Sequence, residues 1–124
     1  MKWSLFALIL FSVSLSAIAQ ITLKTGMSNT SITQVLKFGS PLEIAKQIAI
    51  NPWVIGGLAM YFLGALIWLF VLARVEVSIA YPFVGIGFIL TMILGKFLMG
   101  DDITYYRLIG TLFVAAGIIL ITRG

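Results

Sequence analysis

Four apolar runs occupy most of the chain: Trp3 to Leu23, Pro52 to Ala73, Val77 to Met99 and Ile103 to Thr122. At ~1.5 Å of rise per residue, a stretch of about 20 residues crosses a hydrocarbon core of ~30 Å as a helix. With 61% hydrophobic and only 10% charged residues among 124, a soluble domain would lack the polar surface to cover itself. The expected fold is therefore an all-α membrane protein, one four-helix transmembrane domain over residues 1–124. The connections after the second and third runs are only a few residues long, which makes helices two, three and four an up-down hairpin series. Lys96 and Arg107 lie near span ends, where a long stem carries the charge to the headgroups.

The first run also has features of a secretory signal, with Lys2 ahead of it and Ala17-Ile18-Ala19 before Gln20. Apolar character continues past that point through Ile21 and Leu23, so the segment is taken as a helix.

None of the four acidic residues, Glu43, Glu76, Asp101 and Asp102, lies inside a run. A membrane protein built this way has no intramembrane carboxylate to carry a proton or pair with a buried cation. Cysteine and histidine are absent, which removes thiol chemistry, imidazole acid–base chemistry and the commonest transition-metal ligands. Neither a metal site nor a cofactor is expected. The net charge of +4 comes from eight basic residues scattered singly over span ends and the long connection. There is no basic patch with interleaved aromatics, so these residues suit anionic lipid headgroups and not nucleic acid.

The connection from Thr25 to Asn51 is the only one longer than a turn. Ser40-Pro41-Leu42-Glu43 is a helix start, with Ser40 as N-cap, Pro41 at the first helical position and Glu43 three residues after the cap. Leu42, Ala45, Ile48 and Ala49 then share one face until Asn51-Pro52 ends the helix. The pattern predicts a short amphipathic helix between the first and second spans, either lying on the membrane surface or serving as a spacer.

Within the first span Ser12, Ser16, Gln20 and Lys24 recur every four residues as a polar stripe. Polar groups in hydrocarbon need partners or water, so the stripe should face protein or a cavity. Small hydroxyl residues also serve simply to let helices approach. Gln20 carries two donors and an acceptor that need satisfying, and Lys24 adds a charge one turn further on. In the second span Gly57 and Gly64 are seven residues apart, as are Tyr61 and Trp68. The glycines make a groove for a neighbouring helix, while the aromatics either line a cavity or fill the bundle. The third span opens with Val77-Ser78-Ile79-Ala80-Tyr81-Pro82, and Pro82 kinks the helix if it lies past the first turn. Gly110 and Gly117 repeat the seven-residue spacing in the fourth span, a stripe suited to packing against another helix.

Taken together, Gln20 with Lys24, the Val77 to Pro82 run, the acid at Asp101 and the Gly110–Gly117 pair resemble the four-helix branch of the drug/metabolite transporter superfamily. Within that branch the likeness is strongest to the small subunits of the undecaprenyl-phosphate-aminoarabinose flippase, which are similar in turn to small multidrug resistance transporters. In the latter, the residue eight positions before the lysine that ends helix one is a glutamate that binds cations and protons. Here that position holds Ser16, which argues against proton-coupled drug export. Glu76 is a further departure from the pattern.

The resemblance implies a flippase or flippase subunit in a bacterial inner membrane that moves a lipid-linked sugar phosphate, with no enzymatic step. It also implies that Lys24 attracts the lipid phosphate, that Gln20 hydrogen-bonds the headgroup, and that Ser16, Tyr61 and Tyr81 continue the polar path. A homodimer or a heterodimer with a similar four-helix subunit is expected, joined in part through Gly110 and Gly117. The competing readings are a small multidrug resistance-like exporter and a non-transporting accessory subunit. Lys2, Arg74 and Arg123 flank one membrane face, against Lys24, Lys37, Lys46, Lys96 and Arg107 on the other. The positive-inside rule places the long connection in the cytoplasm and both termini outside.

Overall fold

The computed structural model describes residues 3–123, so Lys2, counted in the charge bias above, lies outside the described residues. The chain runs through α1 (Trp3–Met27), α2 (Thr30–Phe38), α3 (Pro41–Ile50) and α4 (Pro52–Leu72). It continues with α5 (Val77–Ala80), a 3₁₀ turn (Tyr81–Phe83), α6 (Val84–Met99) and α7 (Tyr105–Arg123), and no strand occurs among the described residues. Four helical stretches are long and apolar enough to cross a membrane: Trp3–Met27, Pro52–Leu72, Val77–Met99 and Tyr105–Arg123. The chain is a multi-pass membrane protein.

Helix ends follow from local hydrogen bonding. α1 continues a turn beyond the apolar run, to Met27, and its hydroxyls are satisfied within the helix. Thr22 Oγ1 donates to the Ile18 carbonyl at 3.0 Å and Thr25 Oγ1 to the Ile21 carbonyl at 2.9 Å. α7 begins at Tyr105, two residues later than the apolar run, because the Thr104 hydroxyl accepts the Arg107 backbone N–H at 3.2 Å. In the long connection, Ser40 caps α3 as its sequence predicts, with Oγ accepting the Glu43 N–H at 3.3 Å. No residue of α3 is buried, and Leu42 is 79% exposed, so the chain itself leaves that apolar face uncovered. An interfacial position suits it. The preceding helix, α2, was not anticipated. Its start is set by Asn29, whose side chain accepts the Ser31 N–H at 2.8 Å.

The tightest packing joins α1 to α4. A side chain at Gly57 would begin 2.8 Å from the Leu23 side chain, and one at Gly64 would begin 3.4 Å from the Ser12 carbonyl. The same seam uses Gly26 of α1, where an added Cβ would lie 2.9 Å from both Val54 and Trp53 side-chain atoms. Dispersion contacts between closely approaching backbones drive helix association in lipid, and these glycines permit that approach. Two buried polar side chains fasten the seam. Ser12 Oγ donates to the Gly64 carbonyl at 2.8 Å. Asn51 Nδ2 donates to the Gly26 carbonyl at 3.2 Å while its Oδ1 accepts the N–H groups of Trp53 and Val54. One side chain thus closes the end of α1 and caps the start of α4.

The buried core lies where α1 begins, α4 ends and the third span starts. It comprises Ile9, Val13, Val71, Ala80, Phe83 and Ile118. Phe6 meets Phe83 edge to face, with ring centroids 5.9 Å apart. Pro82 lies within the 3₁₀ turn that interrupts the third span, as a residue without a backbone N–H requires. Glu76 now has a structural account: it holds the N-cap position of α5, its carbonyl accepts the Ala80 N–H at 2.8 Å, and a carboxylate at a helix N-terminus is electrostatically favoured. α7 is the most loosely held span, with Ile118 its one buried residue among those described. It touches α6 at Gly85, where a Cβ would meet Val114 at 2.7 Å and Ile118 at 3.0 Å.

Candidate functional site

A cavity of about 710 Å³ opens between α1, α4, the third span and the start of α7. From α1 it receives Ser12, Ser16 and Gln20, and from α4 Tyr61, Gly64 and Trp68. The third span adds Tyr81, Gly87, Phe88 and Thr91, and the end of the cavity is formed by Asp101, Asp102 and Arg107. The polar stripe of α1 therefore does face a cavity, but its members do different things. Ser12 is buried and spends its hydroxyl on the Gly64 carbonyl, so it is an interhelical tie. Ser16 is half-buried and Gln20 exposed on the wall.

Lys24 does not line the cavity. A four-residue step advances about 400° around a helix, so the stripe drifts by about 40° per member. Over the three steps from Ser12 the drift reaches about 120°, enough to carry Lys24 off the wall and onto the exposed surface.

Tyr61 and Tyr81 both line the cavity, and Trp68 does so with them. Gly64 and Ala65 between the two α4 aromatics keep that wall low. Pro82, one residue from Tyr81, is not a lining residue and acts only through the local change of helix type. Thr91 donates its hydroxyl to the Gly87 carbonyl at 2.7 Å, which leaves its oxygen as an acceptor. Gly110 and Gly117 lie outside this cavity, and an added Cβ at either would meet nothing within 4 Å.

The charged end escaped the sequence-level choice of site residues. α6 stops at Gly100, whose φ of 74° is left-handed. The Gly95 carbonyl accepts both the Gly100 N–H, a six-residue closure, and the Asp101 N–H at 3.1 Å, which turns the chain sharply. Asp101 is folded over α6 so closely that a Cβ on Gly95 would lie 2.6 Å from Asp101 Oδ2. Arg107, expected to stretch toward headgroups, instead donates from Nη1 to the Asp102 carbonyl at 2.7 Å. Lys96 is exposed, as its position near a span end predicts. A pair of acids directly after one span and an arginine five residues later, at the start of the next, was the available signal.

Chemically, the cavity sets a few hydroxyls and one primary amide among aromatic and aliphatic side chains, Val13, Val84, Met92 and Ile103 included, with charge confined to one end. That is a surface for hydrogen-bonding and stacking on a polar headgroup.

No family profile matches the chain, and no solved structure does. Among curated proteins it is similar to the "Probable 4-amino-4-deoxy-L-arabinose-phosphoundecaprenol flippase subunit ArnE" of Pseudomonas aeruginosa strain UCBPP-PA14. The two are 36% identical over 73 residues, 59% of this chain and 64% of that relative. The protein of the same name from Pseudomonas fluorescens strain Pf0-1 is 28% identical over 116 residues, covering 92% of this chain and 93% of the relative. That from Aeromonas hydrophila is 28% identical over 71 residues, 57% of this chain and 62% of the relative. Against the more similar Pseudomonas aeruginosa sequence the match spans less than two thirds of the relative's length. The likeness to flippase small subunits drawn from the residues is borne out by these comparisons.

Proposed function

We propose that the chain is a subunit of a flippase that moves an undecaprenyl-phosphate-linked sugar between the leaflets of a bacterial inner membrane. The observation that carries this reading is the cavity itself: hydroxyl, amide and aromatic groups line a space of about 710 Å³ inside a chain that has no carboxylate within a span. A headgroup rich in hydroxyls finds partners there, while the polyprenyl tail stays in the hydrocarbon. The cavity opens to one side and then the other, and no bond of the substrate is made or broken.

In this reading Gln20 hydrogen-bonds sugar or phosphate, Ser16 extends the polar path, and Tyr61 and Tyr81 supply hydroxyl-tipped walls. Lys24, off the wall, acts at entry, where a cation at the membrane boundary draws in a lipid phosphate. Four spans are few to enclose a headgroup and gate it on both faces, so a second chain, identical or similar, completes the transporter. α7 supplies part of that interface through Gly110 and Gly117, where a Cβ would meet no atom of the described residues within 4 Å. The positive-inside bias sets the long connection in the cytoplasm.

The test is flipping of the lipid-linked sugar in reconstituted vesicles. Gln20→Leu keeps insertion and helix content and abolishes transport. A Gln20→Leu protein that flips the lipid at the parent rate overturns the assignment.

A further inference from the structure

A second space adjoins the cavity. Between α6 and α7 lies a groove of about 460 Å³ whose wall includes Phe88, Met92 and Arg107, and the same three residues line the main cavity. The two spaces are therefore neighbours across one seam. Beyond it the groove is lined by Ile89, Gly110, Thr111 and Val114, and the Thr111 hydroxyl is spent on the Arg107 carbonyl at 2.7 Å. Its remaining polar side chains, Tyr106 and Arg107, stand in the first turn of α7, at the membrane boundary. From Arg107 to Val114 the groove follows α7 for ~10 Å toward the bilayer centre. It ends where Val114 closes on Gly85 of α6. Polar cavity, cation and apolar groove thus follow one another in the order of head, phosphate and chain in a lipid-linked sugar.

We infer that the α6–α7 groove is a binding site for the first part of the substrate's isoprenoid chain, with the phosphate passing the seam at Arg107 and the rest of the chain in the surrounding lipid. The inference rests on the proposed flippase and adds where the tail runs. Hydrocarbon gains little by leaving lipid for an apolar groove, because lipid tails are as apolar as the wall. Tethering sets the occupancy instead: a phosphate held by Arg107 keeps one chain beside the groove at high effective concentration. Gly110 is common to this groove and the proposed subunit interface, whereas Gly117 lies outside the groove. A partner helix is therefore the competing occupant.

The experiment is photocrosslinking in vesicles of phosphatidylethanolamine and phosphatidylglycerol doped with undecaprenyl phosphate, using the protein with any subunit that accompanies it. A benzoylphenylalanine replaces Ile89 in the groove or, as a second reporter, Tyr106, which is 90% exposed and accepts another aromatic. The control position is Phe113, exposed on α7 and outside both spaces. Relative to phospholipid, undecaprenyl phosphate is captured about tenfold more at either groove position than at Phe113. Arg107→Gln brings the enrichment down to the Phe113 level, and Arg107→Lys keeps most of it. Capture of phospholipid alone at both groove positions overturns the inference, as does capture of a partner chain in place of lipid. So does an enrichment unchanged in Arg107→Gln, since the chain would then not be held through its phosphate. Flipping of the lipid-linked sugar by the parent is followed in the same vesicles. A parent that flips it without groove enrichment overturns the tail site and leaves the flippase reading standing; one that shows neither overturns both.

Discussion

α4 and α7 carry the same sequence device, two glycines seven residues apart, and the structure uses it in opposite ways. On α4, Gly57 and Gly64 are both met by α1, at Leu23 and at the Ser12 carbonyl. On α7, a Cβ at Gly110 or Gly117 would touch nothing within 4 Å. α7 does contact α6, but through Val114 and Ile118, which lie about 40° and 80° around the helix from Gly110, and the glycine in that contact is Gly85 of α6. The spacing signals a groove; it does not say whose helix fills it. That is decided by the neighbour, and α1 presents a polar tie and a leucine at matching heights where α6 presents neither to the α7 glycines.

The sharpest way to break the contrast is Gly57→Leu. The new side chain begins 2.8 Å from Leu23 in a buried seam, so overpacking of ~1–3 kcal/mol is expected. Unfolding in a denaturing detergent titration should shift to lower detergent accordingly. Asn51→Ala removes a helix cap and the bond to Gly26 together, with an expected loss of ~1–2 kcal/mol in the same titration. Ser12→Ala gives up one interhelical hydrogen bond and should cost ~0.6–1 kcal/mol. Gly110→Leu with Gly117→Leu should not destabilise the chain's own fold, because a Cβ at either position meets nothing within 4 Å. On the proposed interface the same double variant loses its partner, and crosslinking in native membranes that recovers the parent yield of dimer would place the interface elsewhere.

The spans were legible because apolar length is a one-dimensional property, and Ser40 announced α3 through a capping pattern three residues wide. α2 was not legible: its cap, Asn29, has no acid three residues on, and its apolar positions are too few to stand out between two polar ends. Ser16, Gln20, Tyr61 and Tyr81 could be picked because polar residues inside apolar runs are conspicuous, and all four line one cavity. Lys24 was picked by the same rule and lies off the wall, since equal spacing in sequence is not a straight line on a helix. Asp102 and Arg107 look like ordinary span-end charges, and Asp101 enters the sequence reading only as part of the family likeness. The left-handed turn at Gly100 and the room left at Gly95 set the Asp101 end of the cavity.

The 3₁₀ turn at Tyr81–Phe83 resets the azimuth of everything that follows it. Such a turn advances about 120° per residue where an α-helix advances about 100°, so α6 is rotated relative to an unbroken helix, by at most ~60° over three residues. A helical wheel drawn straight through Pro82 therefore assigns Gly87, Phe88 and Thr91 to the wrong sector. The phase of the polar path through the third span is therefore shifted by a turn built around a proline that does not itself line the cavity.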